Sequence, residues 1–372
     1  MQEADRIKIK SIKSKIATML QERHSLEDGN KAFVSPSEMW SLGCSNIDYM
    51  LWLPEEYFAK LRMHTYHFTG DNYQTYFYAD PEWFRSAYRL AALTKDIPAK
   101  LVLNEPEGGI GFHYGNGRFV SVDITRFQRV VNNLYRSKVL ADLSQSNRPT
   151  NYILEIGAGY GGLAHHLSNI LDNVTYVIVD LPETLLFSAS YLSLHNPQKK
   201  IYVYDPSDFS TLMQGRELDA YDFVLLPNYQ LQSIRWMRFD LILNMESLGE
   251  MTTRQAEEYL DFIKDTCAEV FYSLNQDRVI QNYEMSSVSE LLARRFSLTD
   301  LAEQNLSQEK PNESKPPVTT KTKIRRTIGH VGRRIADVIG LSDEPEEIEE
   351  KNLVPVPVYP PHREYLCRPL TK

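Results

Sequence analysis

Long apolar runs, clustered cysteines and an excess of basic charge are what this 372-residue sequence lacks. No apolar run approaches the roughly 18 residues that a membrane-spanning helix needs. The opening stretch Met1–Lys13 has no apolar centre of the signal-peptide kind. Cysteines are three, Cys44, Cys267 and Cys367, odd in number and far apart. That spacing argues against a disulfide framework or a zinc cluster and for a reducing, cytoplasmic setting. No His/Asp cluster with metal-ligand spacing appears, so no metal is assigned. A formal net charge of -8 weighs against nucleic acid as the main partner, because contact with phosphates needs clustered Lys and Arg. A small molecule or a neutral glycan fits better. With 42% hydrophobic residues, the chain has material for one large domain or two ordinary ones.

What is present centres on residues 152–162, Tyr-Ile-Leu-Glu-Ile-Gly-Ala-Gly-Tyr-Gly-Gly. Apolar residues around Glu155, followed by Gly157, Gly159, Gly161 and Gly162, read as a buried strand ending in a tight loop. The helix behind it carries Leu163, Leu167 and Ile170 at helical spacing. Glycine belongs where φ must be positive or where a Cβ would strike a bound molecule. Two nucleotide-type cofactors use such a unit. A dinucleotide sets its pyrophosphate on the helix N-terminus, where Glu155 would repel it. S-adenosylmethionine carries a sulfonium and an ammonium and no phosphate, so the same carboxylate attracts it.

Tyr176–Val179 is a second strand ending in Asp180, placed to accept hydrogen bonds from two ribose hydroxyls, as NAD would also require. Pro182 then suits a first helical position. Either Ile201–Tyr204 or Phe223–Leu226 serves as the third strand, which leaves Pro227 and Asn228 as candidates for adenine contact. Phe239–Asn244 is a fourth strand and runs into Met245–Met251. Thr252 and Gln255 form a capping box for the helix that follows, so Glu246 and Glu250 fall in the loop after a strand end, where open α/β sheets put their chemistry.

GAGYGG after an acid, VIVDLPETL, FDLILN running into SLGEM, and a late strand FYSLN together resemble the bacterial sugar O-methyltransferase family. The resemblance covers roughly residues 100 to 280, and SLGEM is its most specific part. It implies an α/β fold with a Rossmann-like class I methyltransferase sheet and S-adenosyl-L-methionine as cofactor. It also implies a sugar or glycan acceptor in antibiotic or surface-polysaccharide biosynthesis. Cofactor contacts are expected at Glu155, Gly157, Ala158, Gly159, Gly161, Asp180, Leu181 and Asn244. A sugar hydroxyl needs a base within hydrogen-bond reach; Glu250 is expected in that role, with Glu246 and His113 as substitutes. A capping role for Glu250 at the following helix stands beside this. Three other readings stay open: a NAD-dependent sugar oxidoreductase or epimerase, for which no YxxxK pair is found; an inactive cofactor-binding module; and a methyltransferase acting on a non-sugar hydroxyl or amine.

The flanks carry less information. Residues 1–147 are expected to form a mainly helical, aromatic-rich substrate or cap region, 148–302 the catalytic domain, and 303–372 a largely disordered tail. Ile9, Ile12, Ile16 and Met19 mark an amphipathic helix docked on its own domain. Aromatics such as Trp40, Tyr49, Trp52 and Phe68 suit sugar faces, although aromatics at this density more often form a core. Asp80-Pro81-Glu82 reads as a helix start. Asn116-Gly117 predicts a type I′ hairpin that would lie over the cofactor and present His113, with Glu105 and Glu107 as hydroxyl ligands, or else be a rigid turn. Asp123 reads as an N-cap before Phe127, Val131 and Leu134. His166 is expected to be a hydrogen-bonded packing residue and His165 to face solvent. Within the tail, residues 321–341 read as a basic amphipathic helix, fit for an anionic membrane surface or a protein partner or for packing on the protein itself.

Overall fold

Short β-branched runs buried on both faces, joined by helices, assemble here into one eight-stranded sheet. The computed structural model describes residues 1–26, 31–70, 90, 92–114, 118–279, 282, 285–301 and 362–370. A hairpin, β1 (Phe112–Tyr114) with β2 (Arg118–Val120), precedes the sheet. The sheet strands are β3 (Asn151–Ile156), β4 (Val174–Asp180), β5 (Ile201–Val203), β6 (Phe223–Pro227), β7 (Phe239–Met245), β8 (Cys267–Gln276), β9 (Phe296–Asp300) and β10 (His362–Pro369). Their order is β5-β6-β4-β3-β7-β8-β10-β9. Strands β3 to β8 pair in parallel, whereas β10 runs antiparallel to both β8 and β9. This is a Rossmann-like α/β sheet, extended at one edge by β5. Both candidates for the third strand are therefore strands: β6 holds the place beside β4, and β5 pairs outside it.

Central strands β3, β4, β6 and β7 are nearly continuous runs of buried residues, the pattern of parallel strands covered on both faces. The chain order reverses between β3 and its two neighbours β4 and β7. In doubly wound sheets that switch point opens a crevice beyond the strand C-termini.

Residues 1–302 and 360–372 belong to one compact unit. The helix Glu3–Ser25 buries Ile9, Ile12, Ile16 and Met19, and Arg23 clasps Glu183 of the Pro182–His195 helix through two hydrogen bonds of 2.8 and 2.5 Å. Three expectations need correction. Ser121, not Asp123, caps the helix Val122–Arg136, because its hydroxyl accepts from the Ile124 N–H; the Asp123 carboxylate is drawn instead to Arg62. The hairpin pairs Tyr114 with Arg118, which leaves three residues between the strands rather than the two of a type I′ turn. The expected disordered tail does not cover residues 362–369, since His362–Pro369 is an interior strand with partners on both sides. The helix start at Asp80 and the basic stretch 321–341 lie outside the described residues. Among the described residues, no helix is long and apolar enough to cross a membrane.

Candidate functional site

Beyond the C-terminal ends of β3, β4, β6 and β7 lies a cavity holding roughly 1000 Å³ of empty space, its mouth included. Its floor is the loop Gly157-Ala158-Gly159-Tyr160 with Val179–Leu181, Thr184 and Asn228; Met245–Ser247 and Glu250 form one wall. Ala32, Ser35–Ser37, Trp40 and Phe68 from the N-terminal segments, with Asp123, Arg126 and Phe127, close the rest. Gly157 has a φ of +75°, and a Cβ there would stand 2.3 Å from Ser247 Oγ. Only glycine gives the loop its close approach to the β7 end. Asp180 organises the loop from below, accepting from the Gly159 N–H at 3.0 Å and the Leu181 N–H at 2.8 Å. Burial pushes its carboxyl up to about 6 against these hydrogen bonds and one from Thr184.

Charge on the wall is unequal. Asp123, Asp180, Glu246 and Glu250 supply four carboxyls, against one guanidinium, Arg126. Glu250 takes a 2.6 Å hydrogen bond from Trp40 Nε1. Burial drives its carboxyl up to about 8, the Trp40 donor opposing and the charges of Glu246 and Asp180 adding. Glu246 goes the other way. Burial raises it, yet a hydrogen bond from His362 and the charges of Arg126 and Arg129 outweigh that and hold it below the usual carboxylate range. Its backbone is left-handed, φ +54°, which costs a non-glycine residue roughly 1–2 kcal/mol and recurs at functional sites. The two carboxyls are thus driven in opposite directions.

A buried network ties the N-terminal region to the glycine loop. The Arg62 guanidinium is 1% exposed. It donates to Glu105 Oε1, Thr65 Oγ1 and Asp123 Oδ2, each at 2.7 Å, and stacks 4.1 Å from the Tyr160 ring centroid. Ser121 Oγ donates to the other Glu105 oxygen. Glu105 is thus spent on structure, and Glu107 is exposed.

Of the residues expected at the site, Gly157, Ala158, Gly159, Asp180, Leu181, Glu246 and Glu250 line the cavity together. Glu155 does not. Its carboxylate, 1% exposed, accepts from Tyr176 Oη at 2.7 Å, and burial lifts it to about 7. Asn244 is internal, donating to the Ile156 carbonyl and accepting from the Leu248 N–H and Asn275. Gly161, with φ +83°, caps the Gly162–Ile170 helix away from the wall. His113 is exposed on β1 beside Phe119, and no described hairpin residue lines the cavity. Of the adenine candidates, Asn228 lines it and Pro227 does not. His165 is half-buried against Asn196, and His166 is buried with its Nε2 meeting no partner among the described residues; neither faces the cavity. Glu250 does not cap the next helix, because Thr252 and Gln255 do so reciprocally. Arg126 and Asp123 gave no signal in the sequence, since one helical Arg and one presumed cap look like surface residues. His362 was hidden in a stretch read as tail. Among the described residues no group of three His, Cys, Asp or Glu is placed to hold a metal, and the three cysteines are free and buried.

No family model and no curated protein matches the chain. Solved structures resemble it at low similarity. The N-methyltransferase NodS from Bradyrhizobium japonicum WM9, in complex with S-adenosyl-L-homocysteine, is 16% identical over 59% of this chain and 89% of its own, with a TM-score of 0.30. An O-methyltransferase family protein from Burkholderia thailandensis is 12% identical over 47% and 58%, with a TM-score of 0.30. DhpI, in a complex with S-adenosylhomocysteine, is 14% identical over 45% and 80%, with a TM-score of 0.26.

Proposed function

We propose that the protein is an S-adenosyl-L-methionine-dependent O-methyltransferase that methylates a hydroxyl of a sugar in glycan or polysaccharide biosynthesis. The observation that carries this reading is the acidic wall at the switch point of the sheet, where Asp180 and Glu246 are carboxylates near neutral pH while Asp123 is paired with Arg62 and Arg126 and Glu250 is largely protonated. Such a wall suits a cationic cofactor and repels a pyrophosphate, so a nicotinamide dinucleotide is the poorer fit. Gly157 and Gly159 leave the room a Cβ would fill. Asp180 at the β4 end suits the ribose hydroxyls, and Asn228 Oδ1, buried and without a partner among the described residues, suits the adenine amino group.

Bound S-adenosylmethionine supplies an electrophilic methyl group on a sulfonium and leaves as the neutral thioether. The protein's part is to hold an acceptor hydroxyl in line and to remove its proton. Glu250 is the base in this reading. It sits on the wall in the SLGEM block that carries the sugar O-methyltransferase resemblance, and at about 8 its carboxylate is a far stronger base than an ordinary glutamate. Trp40 and Phe68, stacked 6.0 Å apart, offer aromatic faces to a sugar ring. Neutral hydroxyls also suit a wall that repels anions.

Calorimetric titration with S-adenosylhomocysteine and, separately, with NAD tests the cofactor. Binding of the first alone is expected; binding of NAD alone overturns the proposal. Release of S-adenosylhomocysteine on a panel of nucleotide sugars and free hexoses then tests the acceptor.

A further inference from the structure

The C-terminal strand reaches the cavity wall. His362, the first residue of β10, pairs across the ladder with Gln276 of β8, and its Nε2 stands 3.2 Å from Glu246 Oε1. Glu246 itself is pinned twice more. Its backbone N–H donates to the Leu274 carbonyl of β8 at 2.7 Å, and its left-handed φ of +54° turns the residue out of the β7 line. Two residues along β10, Glu364 is fully buried and meets Arg129 and Asn133 of the Val122–Arg136 helix and Tyr272 of β8. Alternation along a strand puts residues 362 and 364 on the same face. One face of β10 thus grips both the helix that supplies Arg126 and the carboxylate of Glu246, a residue that lines the cavity.

We propose that His362 is the positioning residue for Glu246, holding that carboxylate turned into the cavity so that it receives a hydroxyl of the acceptor beside the one methylated. The proposal rests on the methyltransferase reading for the word acceptor, not for the His362–Glu246 contact. The charged groups facing Glu246 are His362 from β10, Arg126 and Arg129 from the helix, and Glu250 from the following turn. Burial alone would raise Glu246; the hydrogen bond from His362 and the charges of Arg126 and Arg129 reverse the direction. A carboxylate that stays charged accepts a hydrogen bond from a hydroxyl and turns away anionic groups. Glu250, barely 4 positions on, is left as the group that exchanges a proton.

The test uses the full chain and two substitutions. His362→Ala removes the contact and His362→Gln keeps a neutral donor; the backbone ladder of β10 stays in both. Carbon-13 NMR of glutamate-labelled protein follows the Glu246 carboxyl, assigned by its disappearance in Glu246→Gln. In the unmodified protein its midpoint should lie below the ordinary value of about 4.3. His362→Ala should raise that midpoint by about one unit, a tenfold change in the protonation equilibrium, and His362→Gln should recover part of it. An unchanged midpoint overturns the proposal and assigns Glu246 to Arg126 and Arg129 alone. On any nucleotide sugar or hexose that turns over, His362→Ala should raise the acceptor KM about tenfold, the loss of one charge-assisted hydrogen bond, with kcat and S-adenosylhomocysteine affinity nearly unchanged. A parallel loss of S-adenosylhomocysteine affinity would mean a structural role and overturns it too. If the unmodified protein binds no S-adenosylhomocysteine, the methyltransferase reading fails while the carboxyl titration still decides the role of His362.

Discussion

Burial acts on Glu250 and Glu155 in the same direction but with different consequences. Glu250 touches the cavity, so its ionisation belongs to turnover. With a midpoint near 8, the carboxylate form grows as pH rises, and kcat/KM should climb about tenfold per unit below that pH and level off above it. Glu250→Gln should lower kcat by roughly 10²- to 10⁴-fold while S-adenosylhomocysteine still binds. Trp40→Phe removes the donor that favours the charged form, so the alkaline-rising limb should move to higher pH. Glu155 is buried outside the cavity lining, so its ionisation belongs to stability. Its folded midpoint, about 7, lies above that of an unfolded glutamate. The stability it lends is present below about pH 4.3 and is lost as pH rises through 7. Glu155→Gln, which still accepts from Tyr176, should therefore stabilise the protein by about 3–4 kcal/mol at pH 8 and by almost nothing near pH 4. Denaturant midpoints at the two pH values check this.

Elements meet at the site through buried charge rather than through apolar contact alone. Arg62 connects the 55–64 segment, the stretch before β1 and the Val122–Arg136 helix by way of Glu105, Asp123 and Tyr160. Removing one partner of such a cluster strands the others without water. Arg62→Met should cost about 3–5 kcal/mol and weaken S-adenosylhomocysteine binding, because Tyr160 belongs to the glycine loop. Arg62→Lys should recover little, since a point charge cannot fork to three acceptors. Chemical denaturation and calorimetry separate the two effects. None of this network was legible beforehand: an arginine in a helical stretch, a glutamate in a loop and an aspartate near a helix start each look solvated until folding brings them within 2.7 Å. The glycine loop and the capping box at Thr252 were legible, because each depends on residues only a few positions apart.

At the scale of the whole molecule, the end of the chain is structural. Strand β10 lies between β8 and β9, so removing residues 362–372 strips both neighbours of their partner and exposes Tyr365, Leu366 and Cys367, all buried. Such a truncation should yield protein without a cooperative thermal transition, where trimming a disordered tail would leave one. The α/β class, the strand–glycine–helix unit at 152–170 and the positions of Asp180 and Glu250 were determined by the sequence itself, because periodicity and turn chemistry act over short separations. Tertiary structure alone decided that Glu155 faces Tyr176 and not the cavity, that His113 stands outside, and that a strand beginning at His362 meets Glu246. Those outcomes depend on which distant segments pair, and a strand's partner and a carboxylate's counter-charge are set by packing across the whole fold rather than by the residues on either side.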